Sequence, residues 1–221
     1  MSSDGILISN LFSEIPTLLR PFFENYDYPW EIVPKIKGII ALITKTKMDG
    51  FTEIQKGVYV GKDVRISPSA EIIPPAIIGD GSEIRHGAYL RGNVIIGREC
   101  VIGNSTEIKN SLLFDKVAAP HYNYIGDSIL GYCTHMGAGA VASNLKSDKS
   151  LITVKGNSRY ETGLKKLGVI MGDRVELGCG CVTNPGTVIG KGTSIYPLTS
   201  VRGVIPPGYI VKGTDIWVEK S

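Results

Sequence analysis

The chain has 221 residues, enough for one substantial core and a small appendage. Its 43% hydrophobic and 20% charged content is ordinary for a folded domain in water. A net charge of +3 is too small to argue for nucleic-acid binding, and no apolar run reaches the roughly 18 residues that a membrane-spanning helix needs.

The first dozen residues lack a basic stretch followed by an uninterrupted apolar one, so no signal peptide is expected and the cytoplasm is the expected compartment. Ile8, Leu11, Phe12, Ile15, Leu18 and Leu19 recur at spacings suited to one amphipathic helix. Pro29 and Pro34 bracket a second helical start, with Ile36, Ile39, Ile40 and Ile43 as its apolar stripe. Residues 1–50 are therefore predicted to form a helical cap, placed on or beside the first coil of the neighbouring repeat domain and covering its open end.

Residues 51–221 carry a different rhythm. An aliphatic residue falls at every sixth position from Val60 through Ile66, Ile72 and onward to Ile108. A small or β-branched residue or a cysteine stands two places before each. A second run extends from Met171 through Leu177, Thr183, Ile189 and Ile195 to Val201. Six fits neither the helical period nor the heptad, but it fits a hexapeptide β-helix, in which each wall uses one short strand and one turn. A mainly β fold, a parallel β-helix of about seven coils, is expected. At about 4.8 Å per coil the prism would be roughly 34 Å tall. Cys100 and Cys181 occupy inward positions and read as buried free thiols; the four cysteines have no zinc spacing.

Between the two runs the rhythm breaks. Counting by six from Ile108 gives Phe114 and then Pro120, and Ile125 and Leu130 stand five apart. Residues 143–168 lose the period altogether and read as a loop thrown out from the prism. That loop carries six basic residues against two acidic ones, a charge suited to an anionic ligand or simply to solvation. His86, His121 and His135 are the only histidines, too widely spaced for the close pair of a zinc lyase of the γ-carbonic anhydrase type. His121 sits at the phase break among polar and aromatic residues, where a neutral imidazole could serve as a general base.

Several of these segments together resemble a known family. They are His121 to Asp127, then Met136-Gly137-Ala138-Gly139 and Asn144, with Tyr89-Leu90-Arg91, Glu107-Ile108-Lys109 and Thr162 to Gly168 in the same order. The pattern is similar to the acetyltransferase domain of the bifunctional glucosamine-1-phosphate N-acetyltransferase/N-acetylglucosamine-1-phosphate uridyltransferase family, closest to the archaeal sugar-1-phosphate type. The resemblance implies a left-handed β-helix assembled as a homotrimer with active sites between subunits, the 143–168 loop reaching across a cleft. It implies N-acetylation of glucosamine 1-phosphate or galactosamine 1-phosphate by acetyl-coenzyme A, on the route to UDP-N-acetylglucosamine, with no required metal.

Carried over by position, His121 would be the base, and Arg91, Lys109, Tyr124 and His135 would bind the sugar phosphate. Ala138, Asn144 and Cys179 would contact coenzyme A, Asn144 alternatively orienting the base; for the role of the family's loop lysine, Lys149 stands one position off, and Lys155, Lys165 and Lys166 compete with it. The family's nucleotidyltransferase motif does not occur in these residues. The rival readings are a non-catalytic trimeric partner of a separate nucleotidyltransferase, and an acyltransferase for a nucleotide-linked amino sugar.

Overall fold

The computed structural model describes residues 5–46, 48–213 and 216–220. From Val58 onward each hexad contributes one short strand and one corner. Strands Val58–Val60, Arg65–Ile66 and Glu71–Ile73 begin the first, second and third walls of a triangular parallel β-helix. The next coil stacks on the first in parallel register, Val58 opposite Ala76 and Ala76 opposite Val94. Among the described residues the three walls hold nine, nine and seven strands. Pairing within the walls is parallel except at their ends, where Thr52–Gln55 runs antiparallel to Val58–Val60 and Ile216–Glu219 antiparallel to Tyr209–Gly213.

In most strands of the second and third walls one residue points inward, and Ile84, Leu90, Ile102 and Ile108 are stacked out of water. In the first wall, two inward residues flank one that faces out, as at Ile77, Ile95, Leu112, Ile129, Ile170 and Val188. Many corners place one residue at positive φ, and several of these residues are not glycine, among them Asp63, Glu99, Tyr122 and Asp127.

Three expectations need correction. Counting by six put Phe114 inside, but Leu113 occupies that inward place, five residues after Ile108. The residue is lost at the corner between the third and first walls, and the rhythm then resumes through Ala119 and Ile125, with a second five-residue step to Leu130. Phe114 turns outward instead, its ring 5.0 Å from that of Phe12 and 5.5 Å from that of Phe23.

Nor does the amino-terminal segment cover the open end. It lies along the outer face of the first wall, burying that wall's outward aliphatics under Leu11, Phe12, Phe23 and Ile36. The expected first helix is two single turns, Ile8–Leu11 and Arg20–Phe23, because Pro16 and Pro21 remove backbone donors between and within them. The second start holds: short 3₁₀ turns at Pro29–Glu31 and Val33–Lys35 lead into the helix Ile36–Ile43.

The third correction concerns the 143–168 segment, which is folded back and not thrown out. Thr153–Lys155 and Arg159–Glu161 form an antiparallel hairpin. Ile152, Val154 and Leu167 are fully buried against the first wall and the amino-terminal segment, and the Tyr160 ring lies 5.6 Å from Tyr28 and 6.1 Å from Trp30.

Candidate active site

The outer face of the third wall is where the sequence-selected residues gather. In strands Tyr89–Arg91 and Glu107–Lys109 the middle residue is buried and its two neighbours face out. Parallel register sets Glu107 between Tyr89 and Tyr124 in one column and places Lys109 above Arg91 in the next. The Arg91 guanidinium donates to Glu107 Oε1 at 2.6 Å, and that hydrogen bond, with the attraction behind it, raises the Arg91 pKa above its ordinary value. The Lys109 ammonium lies 3.5 Å from Asp127 Oδ2.

Asp127 is the hub at that end of the wall. It is nearly buried, and its carboxylate also accepts from Asn110 Nδ2 at 2.8 Å and Asn144 Nδ2 at 2.5 Å. The Asn144 amide further donates to the Tyr124 hydroxyl at 3.3 Å. Gly126 makes this arrangement possible: a Cβ there would fall 2.6 Å from Asn144 Nδ2 and 2.7 Å from the Tyr124 oxygen. The contacts of Asn144 are thus with Tyr124 and Asp127 and not with His121.

His121 ends strand Ala118–His121 at the opposite edge of the third wall, where the chain turns from the second. It is exposed, and among the described residues its imidazole has no hydrogen-bond partner. Its backbone is held firmly. Its N–H donates to Asn123 Oδ1 at 3.2 Å, its carbonyl accepts from Gly139 N, and the buried Asn123 amide donates to the Gly137 carbonyl at 2.7 Å. Tyr122, at φ 51°, makes the corner.

The parallel register carries this edge upward from Asn104 through His121 to Ala138 and Cys179. Ala138 and Cys179 are exposed, and the small side chain of Ala138 leaves the edge low between its neighbours. His135 stands apart, on the second wall, with Nδ1 3.0 Å from Glu176 Oε2. Lys165 and Lys166 are exposed on the returning arm, which is anchored at the Asp127 end by Leu167 N donating to the Asn144 carbonyl.

The interior cysteines are Cys100 and Cys181; burial pushes the Cys100 thiol up to about 12 and raises that of Cys181. Among the described residues no three histidine, cysteine or acidic side chains cluster as metal ligands, and no helix is long and apolar enough to cross a membrane.

Comparison with known proteins bears on this geometry. A family model described as the GMPPB C-terminal domain matches residues 72–160, which include most of the third-wall face. The bifunctional protein GlmU of Methanococcus maripaludis is 31% identical over 207 residues, 92% of this chain and 50% of that protein. The chain is GlmU-like. A second relative of this kind is the bifunctional sugar-1-phosphate nucleotidylyltransferase/acetyltransferase of Sulfurisphaera tokodaii, 36% identical over 95 residues, 42% of this chain and 23% of that protein. The GlmU-like chain therefore spans half the length of the first relative and less of the second.

Among solved structures, the UDP-N-acetylglucosamine acyltransferase from Campylobacter jejuni superposes with a TM-score of 0.59 at 18% identity, covering 73% of this chain and 62% of that one. The shared fold is the left-handed β-helix of hexapeptide-repeat acyltransferases. Sequence reasoning gave no role to Asp127, Asn110 or Asn123 in the GlmU-like chain. The signal was available for two of them, since short polar residues such as Asp and Asn tolerate positive φ, and Asp127 and Asn110 both sit at corners with it.

Proposed function

We propose that the chain transfers an acetyl group from acetyl-coenzyme A to the amino group of an amino-sugar 1-phosphate, glucosamine 1-phosphate or galactosamine 1-phosphate. One observation carries the reading: an unpartnered imidazole, His121, stands at one edge of a wall whose outer face presents Arg91 and Lys109 in adjacent coils. The two cations would hold the phosphate, exchanging part of their pairing with Glu107 and Asp127 for it. Tyr124 would meet the sugar. The amine nitrogen attacks the thioester carbonyl carbon, His121 takes the proton the amine gives up, and as the C–S bond breaks that proton passes to the departing sulfur, so coenzyme A leaves as the thiol and the imidazole is neutral again. General-base help of this kind is typically worth ~10²–10⁴ in rate, and holding amine and thioester side by side adds a proximity term.

Coenzyme A would lie along the edge running up from His121 past Ala138 to Cys179. That edge is about 10 Å long at two coil spacings. The third-wall face is flat, so a single prism supplies only one side of such a site. A homotrimer, with the neighbour closing over the face, is the assembly we infer, and His135 and the loop lysines would act across that boundary. A solution mass of one chain instead of three would remove this part of the reading. The reaction needs no metal, and we place it in the cytoplasm, where acetyl-coenzyme A is available.

The test is thiol release from acetyl-coenzyme A with the two amino-sugar 1-phosphates and their unphosphorylated sugars. Phosphorylated acceptors are expected to turn over, and Arg91→Ala to raise their KM by roughly tenfold or more, the size of one lost charged hydrogen bond. Equal turnover of phosphorylated and free sugars would contradict the anion site.

A further inference from the structure

The chain leaves the third wall after Ala142 and rejoins the first wall at Val169, so the intervening arm stands over the corner between them. Two glycines set how closely it approaches. A Cβ at Gly203 (φ 76°) would fall 2.7 Å from the Lys155 carbonyl oxygen, and one at Gly186 (φ 77°) 2.6 Å from the Ile152 side chain. The hairpin therefore rests directly on the corners that bear Asn184 and Arg202. Beside this contact a groove of about 700 Å³ remains, with Ser143, Ser147 and Asn184 among its polar lining.

Three cations line the groove, Lys146, Lys155 and Arg202, against one acidic residue, Asp148. The Asp148 carboxylate is engaged by the Ser150 N–H at 2.9 Å, and the Lys146 ammonium by the Leu151 carbonyl at 2.5 Å. The Lys155 and Arg202 side chains have no hydrogen-bond or ion-pair partner among the described residues. Two unneutralised cations facing one polar groove call for an anion with more than one charge. The volume exceeds that of an inorganic ion and falls in the range of small-molecule sites.

We propose that this groove binds the diphosphate of a nucleotide, with Arg202 and Lys155 on the phosphate oxygens. The diphosphate could belong to the nucleotide end of coenzyme A or to a nucleotide carried by an acceptor. The groove's lining includes none of His121, Arg91 and Lys109, and the proposal does not rest on the acetyl-transfer reading.

Titration calorimetry of the full chain with coenzyme A, ADP, UDP and inorganic pyrophosphate tests it without any turnover. At least one of the three nucleotides is expected to bind in the micromolar range, and the double variant Lys155→Gln/Arg202→Gln to weaken it by roughly tenfold or more. A control pair on the amino-terminal segment, Lys37→Gln/Lys45→Gln, should leave affinity unchanged, and melting curves of both variants should match the parent because all four side chains are exposed. Loss confined to coenzyme A and ADP assigns the groove to the donor; loss confined to UDP assigns it to an acceptor. Unchanged nucleotide affinity in the Lys155/Arg202 variant, or no nucleotide binding at 1 mM or below (roughly −4 kcal/mol), overturns the proposal.

Discussion

At the scale of single residues, exposure divides the four cysteines into two pairs with different reactivity. Cys100 and Cys181 are buried, with thiol pKa values raised by burial, whereas Cys133 and Cys179 are exposed. The thiolate is the reactive form, so the buried pair should stay unmodified in the native protein and react only on unfolding. Mass spectrometry after brief alkylation is expected to find Cys133 and Cys179 labelled. Acetyl-coenzyme A should slow labelling of Cys179, on the proposed coenzyme edge, and leave Cys133 unaffected. Equal protection of both, or of neither, would count against a coenzyme path along that edge. The inward placement of Cys100 and Cys181 was legible in the sequence because the six-residue phase fixes it. The role of Asp127 was not, since its partners Lys109, Asn110 and Asn144 meet only when coils stack.

At the scale of elements, the repeat was legible wherever one residue per strand decides burial, and it failed where two walls meet. A one-residue deletion at a corner shifts which of two adjacent apolar residues faces in, and Leu113-Phe114 offers no local clue to the choice. The amino-terminal turns are not the one helix that the apolar spacing suggests, because Pro16 and Pro21 override that spacing. Their destination was hidden for a related reason. The middle residues of the first-wall strands are aliphatic like their inward neighbours, so the pattern cannot tell a fully buried strand from one covered on its outer face.

That outer contact has a measurable weight. Phe114 is fully buried between Phe12 and Phe23, and Phe114→Ala should cost about 3–5 kcal/mol, the range for large-to-small changes of a buried phenylalanine. Thermal or urea unfolding checks it. A loss under about 1 kcal/mol would mean that the amino-terminal segment is not packed on the first wall as described.

At the scale of the whole molecule, the three walls divide the work. The first is covered by the amino-terminal segment and the hairpin, which leaves the second and third walls open to neighbours and ligands. The unbroken hexads specify the prism, and those of Leu90 and Ile108 also carry Arg91 and Lys109 on their outer face. The chemistry-bearing residues cluster at the corners of the middle coils, where His121, Asp127 and Asn144 lie at or just beside the interruptions of the period. The central claim is that His121 removes the acceptor's proton during acetyl transfer. It is tested most directly by the rate of thiol release from acetyl-coenzyme A with glucosamine 1-phosphate and galactosamine 1-phosphate, measured for the parent and for His121→Ala. The account predicts turnover by the parent on at least one of the two and a fall of ~10²–10⁴ in kcat for the variant, with its fold intact because the side chain is exposed. Turnover by the variant at the parental rate, or none by the parent on either sugar phosphate, would contradict it.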